Sequence, residues 1–160
     1  GLRDYQDNYI ACLSVNNMVR RKLNNKNMQF TLCFFGEHLL AQHPNKVVGV
    51  VESEKTAVLL SIFIPGMVWL ATGGASGCRW TEYQVHKVLQ DRTVTFYPDY
   101  GYYNRTTQTT CYQEWSRRVQ HIQRHMPARL TVSNTLETNL AALPREDQDL
   151  ADVMVRGGGS

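Results

Sequence analysis

Residues 47–56 read Val-Val-Gly-Val-Val-Glu-Ser-Glu-Lys-Thr, and this stretch decides the fold. Val47 to Val51 is a continuous apolar run, the pattern of a strand covered on both faces. Ser53 is placed to N-cap a helix over Glu54 to Ile64, whose Ala57, Leu60 and Ile64 share one face and which stops at Pro65-Gly66. A second apolar run, Met67 to Ala71, ends at Thr72-Gly73-Gly74. The alternation then continues outward. A helix is expected over Thr81 to Leu89 and a strand over Thr93 to Tyr97, ending at Pro98-Asp99. Tyr112 to His125 places Tyr112, Trp115, Val119 and Ile122 on one helical side, and Arg129 to Val132 reads as a last strand. This order predicts an α/β domain with about four mainly parallel strands and right-handed crossovers. A helical, acidic tail is expected over 136–155.

Upstream, Met28 to Phe35 alternates and is rich in aromatics, as a strand would be; Gly36 closes it, and a short helix over Glu37 to Gln42 ends before Pro44. The first 32 residues read as an arm in which Tyr9, Ile10, Leu13, Val19 and Leu23 mark short helical turns, broken by two Asn pairs. The expected organisation is thus an arm over 1–32, one domain over 33–156, and a linker or tag remnant over 157–160. Gly1 reads as a cleavage scar.

Composition narrows the class. Among 160 residues, 42% are hydrophobic, enough for a real core and too many for general disorder. The longest apolar run, Leu59 to Ala71, is broken by Pro65-Gly66 and falls short of the ~20 residues a membrane helix needs, so no membrane partner is expected. Cys12, Cys33, Cys78 and Cys111 stand far apart, with no metal-ligand spacing and no apolar leader before them, which predicts reduced thiols in the cytoplasm. The formal charge of +3 conceals a basic N-terminal segment, a balanced middle, four Arg against one acid over 112–132, and an acidic tail. Such a distribution suits a polyanion, but a solvated surface is its commoner origin.

In open parallel sheets, ligands bind beyond the carboxyl ends of the strands. Glu52 and Asp99 follow two different predicted strands and would converge on one edge, where oxygen ligands suit Mg²⁺ or Mn²⁺. The structural alternative is that Glu52 caps a helix and Asp99 holds a turn. Gly49 to Thr56 also imitates a phosphate loop, but Glu54 stands where that motif needs its second Gly, and a carboxylate there repels phosphate. A nucleoside-triphosphatase is therefore set aside. Tyr97, Tyr100, Tyr102 and Tyr103 are half of all eight Tyr and are followed by Asn104-Arg105. Aromatics beside Arg can stack single-stranded bases, or can fold onto the sheet edge or a second copy of the chain in a homo-oligomer. Arg117, Arg118, His121, Arg124 and His125 crowd one helix, either as a phosphate-contacting face or as a solvated one. Gly73-Gly74 could offer backbone N–H groups to a phosphate.

Together, Val50 to Ala57, Trp69 to Gly74 and Val94 to Asp99 resemble a toprim domain, the Rossmann-like catalytic fold shared by bacterial primases, topoisomerases of types IA and II, some nucleases and recombination-mediator proteins. Cys33 to Leu40 and Asp149-Leu-Ala-Asp152 look like the same group, closest in texture to uncharacterised toprim-like proteins of Bacteroides-type bacteria and their mobile elements. The resemblance covers about residues 33–155. It implies that Glu52 handles protons or a metal, that Asp99 binds Mg²⁺ or Mn²⁺, and that Asp149 and Asp152 lie near the site. Lys55 and Arg105 would neutralise phosphate, with Tyr102, Tyr103, Arg117, Arg118 and Arg124 contacting nucleic acid, single-stranded DNA before RNA. Three positions depart from the family pattern: Gly101 replaces its second Asp, Thr56 an acidic residue, and Ser53 the usual Gly. The implied function is Mg-dependent nucleotidyl or phosphoryl transfer in a primase-like role, in replication or transfer of mobile DNA. The alternative is a non-catalytic interaction module that retains the fold.

Overall fold

The computed structural model describes residues 2–3, 9–11, 15–27, 32–74, 77–146 and 148–157, and divides into two units, 1–31 and 32–160. In the first unit β1 (Leu2–Arg3) pairs antiparallel with β2 (Tyr9–Ala11), followed by α1 (Val15–Lys22). Arg20, Arg21 and Lys22 occupy its last turn, where cations offset the unpaired carbonyls. Tyr9 and Ile10 are therefore strand rather than helical turn, because pairing with β1 overrides a weak local pattern; Leu13 lies outside the described residues.

The second unit opens with a correction. Residues 28–31 lie outside the described set, and 32–34 form no strand; Phe35 alone makes an antiparallel bridge, to Ala71. Gly36 then turns the chain at φ +79°. After α2 (Leu39–Gln42) the predicted alternation appears: β3 (Val48–Val51), α3 (Glu54–Phe63) and β4 (Val68–Ala71). Ser53 caps α3, its hydroxyl accepting from the Thr56 N–H at 3.1 Å. Where one helix was expected over Thr81 to Leu89, there is only α4 (Tyr83–His86) and a 3₁₀ turn over Lys87–Leu89. No side chain caps the start of α4, which leaves it short.

Beyond β5 (Thr93–Phe96), the tyrosine segment forms a small hairpin, β6 (Tyr102–Asn104) with β7 (Thr109–Thr110). Thr110 and Gln113 form a capping box that starts α5 (Cys111–Gln123). The chain then gives β8 (Arg129–Val132), α6 (Thr135–Asn139) and α7 (Leu150–Gly157). The expected continuous helix over 136–155 is thus two helices. Pro144 cannot continue α6, and Gln148 bridges instead to Tyr100.

The four sheet strands lie in the order β4-β3-β5-β8, all parallel, in an α/β Rossmann-like arrangement. Side chains alternate across the sheet. Val48, Val50, Val68 and Leu70 pack with Trp115, Val119 and Ile122 of α5 on one face. Val51, Trp69 and Ala71 pack with Ala57 and Leu60 of α3 and with Leu150 of α7 on the other. Gly49 sits in register with Trp69, whose ring would lie 2.3 Å from a Cβ at position 49. Gly49→Ala is therefore expected to cost about 1–3 kcal/mol by overpacking. A thermal melt unchanged from the parent, with Trp69 fluorescence also unchanged, would show that the ring moves freely.

Candidate functional site

Strand order reverses between β3 and β5, so a crevice forms beyond their carboxyl ends. Glu52 follows β3 directly and Asp99 follows β5 across Tyr97-Pro98. Both line a cleft of about 940 Å³. The backbone of Glu52 is held firmly. Its carbonyl accepts from the Gly73 N–H at 3.0 Å, the Gly74 N–H at 3.1 Å and the Thr72 hydroxyl at 3.3 Å. The glycine loop therefore anchors the acidic residue, and the Gly73 and Gly74 N–H groups read above as a phosphate cradle serve this carbonyl instead.

The opposite wall of the cleft is α5. Arg117, Arg118 and Arg124 line it, with Tyr102 and Tyr103 of the hairpin beside them. Glu114, nine-tenths buried, organises this wall. Its carboxylate accepts from Arg117 Nε and Nη2 at 2.8–3.1 Å and from Arg118 Nε at 2.7 Å. Burial pushes the Glu114 carboxyl up, but the hydrogen bonds and charges of the two guanidinium groups outweigh it and hold it below its ordinary value. Arg118 is fixed further by donating to the Tyr103 hydroxyl at 2.6 Å and by lying over the rings of Tyr103 and Trp80.

The cleft thus gathers Glu52, Asp99, Tyr102, Tyr103, Arg117, Arg118 and Arg124. Lys55, Arg105, Asp149 and Asp152 are not part of its lining. Arg105 is exposed in the turn between β6 and β7. Asp149 is buried and accepts from the Thr56 hydroxyl at 2.5 Å and from Lys55 Nζ at 3.3 Å. Asp149 and Asp152 also cap α7 reciprocally, each carboxylate accepting the other's backbone N–H. Their expected role near a metal gives way to helix capping and to pairing with Lys55. Thr56, standing where the resemblance implied an acid, serves this same cluster. The tyrosines are partly committed too: Tyr97 packs on Trp69, Tyr100 is buried, and Arg145 lies over Tyr100 and Tyr102.

Among the described residues no group of three or more His, Cys, Asp and Glu side chains gathers as a metal site. Glu52 and Asp99 bring two oxygen donors to the cleft lining, the donor type that a divalent ion keeping its waters for phosphate takes. Sequence reasoning passed over Glu114 and Trp80. For Glu114 the signal was present: a Glu followed by Arg at i+3 and i+4 pairs with both on a helix.

A model of a domain of unknown function, DUF6371, matches residues 6–100, more than half of the chain. The chain belongs to the DUF6371 family. The DUF6371 match takes in the glycine loop, Glu52 and Asp99, and ends before the Arg-bearing wall on α5. No curated protein and no solved structure matches the chain. No helix among the described residues is long and apolar enough to cross a membrane.

Proposed function

We propose that the cleft binds nucleic acid, single-stranded DNA before RNA, with Glu52 and Asp99 holding one Mg²⁺ or Mn²⁺ between the strand ends and the bound phosphate. The reading is that of a toprim-like domain in a primase-like role, serving replication or transfer of mobile DNA in the cytoplasm. One observation carries it: Glu52 and Asp99, which follow two sheet strands, line the same cleft as Arg117, Arg118 and Arg124 of the α5 wall. When bound, the ion would neutralise phosphate charge and polarise the phosphoryl group. Glu52, its backbone clamped by the glycine loop, would accept or return a proton at its carboxylate, while Arg117 orients the phosphate and Arg118 braces the wall.

A second reading is a non-catalytic interaction module. The observation favouring it is that Asp149 and Asp152 are taken up by Lys55 and the α7 cap, which leaves two of the four expected metal-site carboxylates, Glu52 and Asp99, in the cleft.

Calorimetric titration of Mg²⁺ and Mn²⁺ into the full chain separates the two. Saturable binding at millimolar metal, lost in Glu52→Gln with an unchanged thermal melt, is the expected result. No binding at those concentrations sinks the metal-dependent reading. Oligonucleotide affinity should also fall with salt. An affinity that ignores salt, or none at low salt, counts against nucleic acid altogether.

A further inference from the structure

We infer that the ligand is an oligomer laid along α5, its successive phosphates on a row formed by Arg117, Gln120 with His121, and Arg124, and not a mononucleotide held at the acidic end. The inference rests on the nucleic-acid reading above and adds the size and path of the ligand. Positions 117, 120, 121 and 124 stand at i, i+3, i+4 and i+7, one face of the helix, and all four line the cleft. The same face continues past the cleft into a shallower hollow of about 300 Å³ lined by Gln120, Gln123 and Arg124. The groove therefore does not close behind the acidic pair; it runs out along the helix.

The rise of the helix sets the ligand's length. Arg117 and Arg124 are ~10 Å apart along the axis, which spans about three nucleotides at the ~3.4 Å rise of each strand in a duplex, and fewer in an extended strand. A mononucleotide touches one end of such a row only.

The charges set the path. With no cation bound between them, the carboxylates of Glu52 and Asp99 repel phosphate, and the backbone follows the guanidinium wall. Arg118 is drawn inward by Glu114, Tyr103 and Trp80, and leaves the row to its neighbours. Arg117 uses Nε and Nη2 on Glu114, and its side chain is 76% exposed, which turns its remaining edge to the ligand.

The test is calorimetry on the full chain in EDTA and low salt, with thymidine monophosphate and with thymidine oligonucleotides of two, four and eight residues. Affinity should rise at least tenfold from the mononucleotide to the tetranucleotide and then level off. Arg124→Ala, an exposed position whose thermal melt should match the parent, should erase that gain and leave the mononucleotide within twofold. A mononucleotide bound as tightly as the tetranucleotide overturns the inference while the nucleic-acid reading stands. So does an Arg124→Ala loss independent of length. No binding of any of these probes overturns both.

Discussion

Gly77→Ala should lower the melting temperature by about 10 °C, since a loss of ~3 kcal/mol in a domain of this size moves the midpoint by that order. A Cβ at position 77 would stand 1.9 Å from the Thr72 carbonyl oxygen and 2.6 Å from the Gly73 carbonyl carbon. Both obstacles are backbone atoms, so no rotamer change relieves the clash, and overpacking of this kind costs roughly 1–3 kcal/mol or more. The Cys78 N–H also donates to the Thr72 carbonyl at 2.8 Å, and displacing that carbonyl forfeits a bond worth ~1 kcal/mol. The consequence reaches the cleft, because the Thr72, Gly73 and Gly74 donors on the Glu52 carbonyl belong to the same loop. Thermal denaturation followed by circular dichroism measures the effect. A midpoint within a degree of the parent would mean that the loop rearranges at no cost.

Asp149→Asn is expected to cost about 3 kcal/mol at neutral pH, as the sum of a weakened helix cap and hydrogen bonds to a buried charge. Burial pushes this carboxyl up, but the Thr56 hydroxyl, the Asp152 N–H and Lys55 together hold it below its ordinary 3.8. A carboxyl lowered by folding stabilises the protein fully above its unfolded value; that stability fades as pH drops through the folded value, because the unfolded chain takes up the proton first. The parent should therefore lose stability below about pH 4, and the Asn variant, already lacking the charge, should lose less over the same interval. Denaturant melts from pH 2 to 7 decide it. Parallel profiles for the two proteins would remove Asp149 from the account. Lys55 is raised above its ordinary value, first by its hydrogen bond to Asp149 and then by the charges of Asp149 and Asp152. Its side chain is 63% exposed, and an ion pair so wet contributes little by itself.

The sheet was legible because its strands carry local signals: β3 and β4 are apolar runs, and β5 and β8 alternate polar with apolar residues. Arg129–Val132 matches its expected bounds, and Ser53 caps where it should. What escaped depends on partners distant in sequence. Phe35 pairs across to Ala71, and Gln148 pairs back to Tyr100; neither contact leaves a periodicity. The site divides in the same way. Strand-end carboxylates follow from the α/β pattern, since every parallel strand delivers its next residue to one rim. Asp149 looked like a site acid from its type and position alone. Only the fold shows that Thr56 and Lys55, 93 and 94 residues earlier, already occupy it.

Phe35 carries a further consequence, for how the protein can be shortened. Its N–H donates to the Ala71 carbonyl at 2.9 Å and its carbonyl accepts from the Ala71 N–H at 3.2 Å, which fastens one point of the outer border of β4. Among the described residues β4 has β3 on its other side and meets only this bridge on its outer one. A version beginning at Leu32, the first residue of the second unit, keeps that stitch. One beginning at His38 strips it off and leaves an apolar border open to strand addition from a neighbouring molecule. Six residues of trimming thus separate a chain with a finished rim from one that invites self-association.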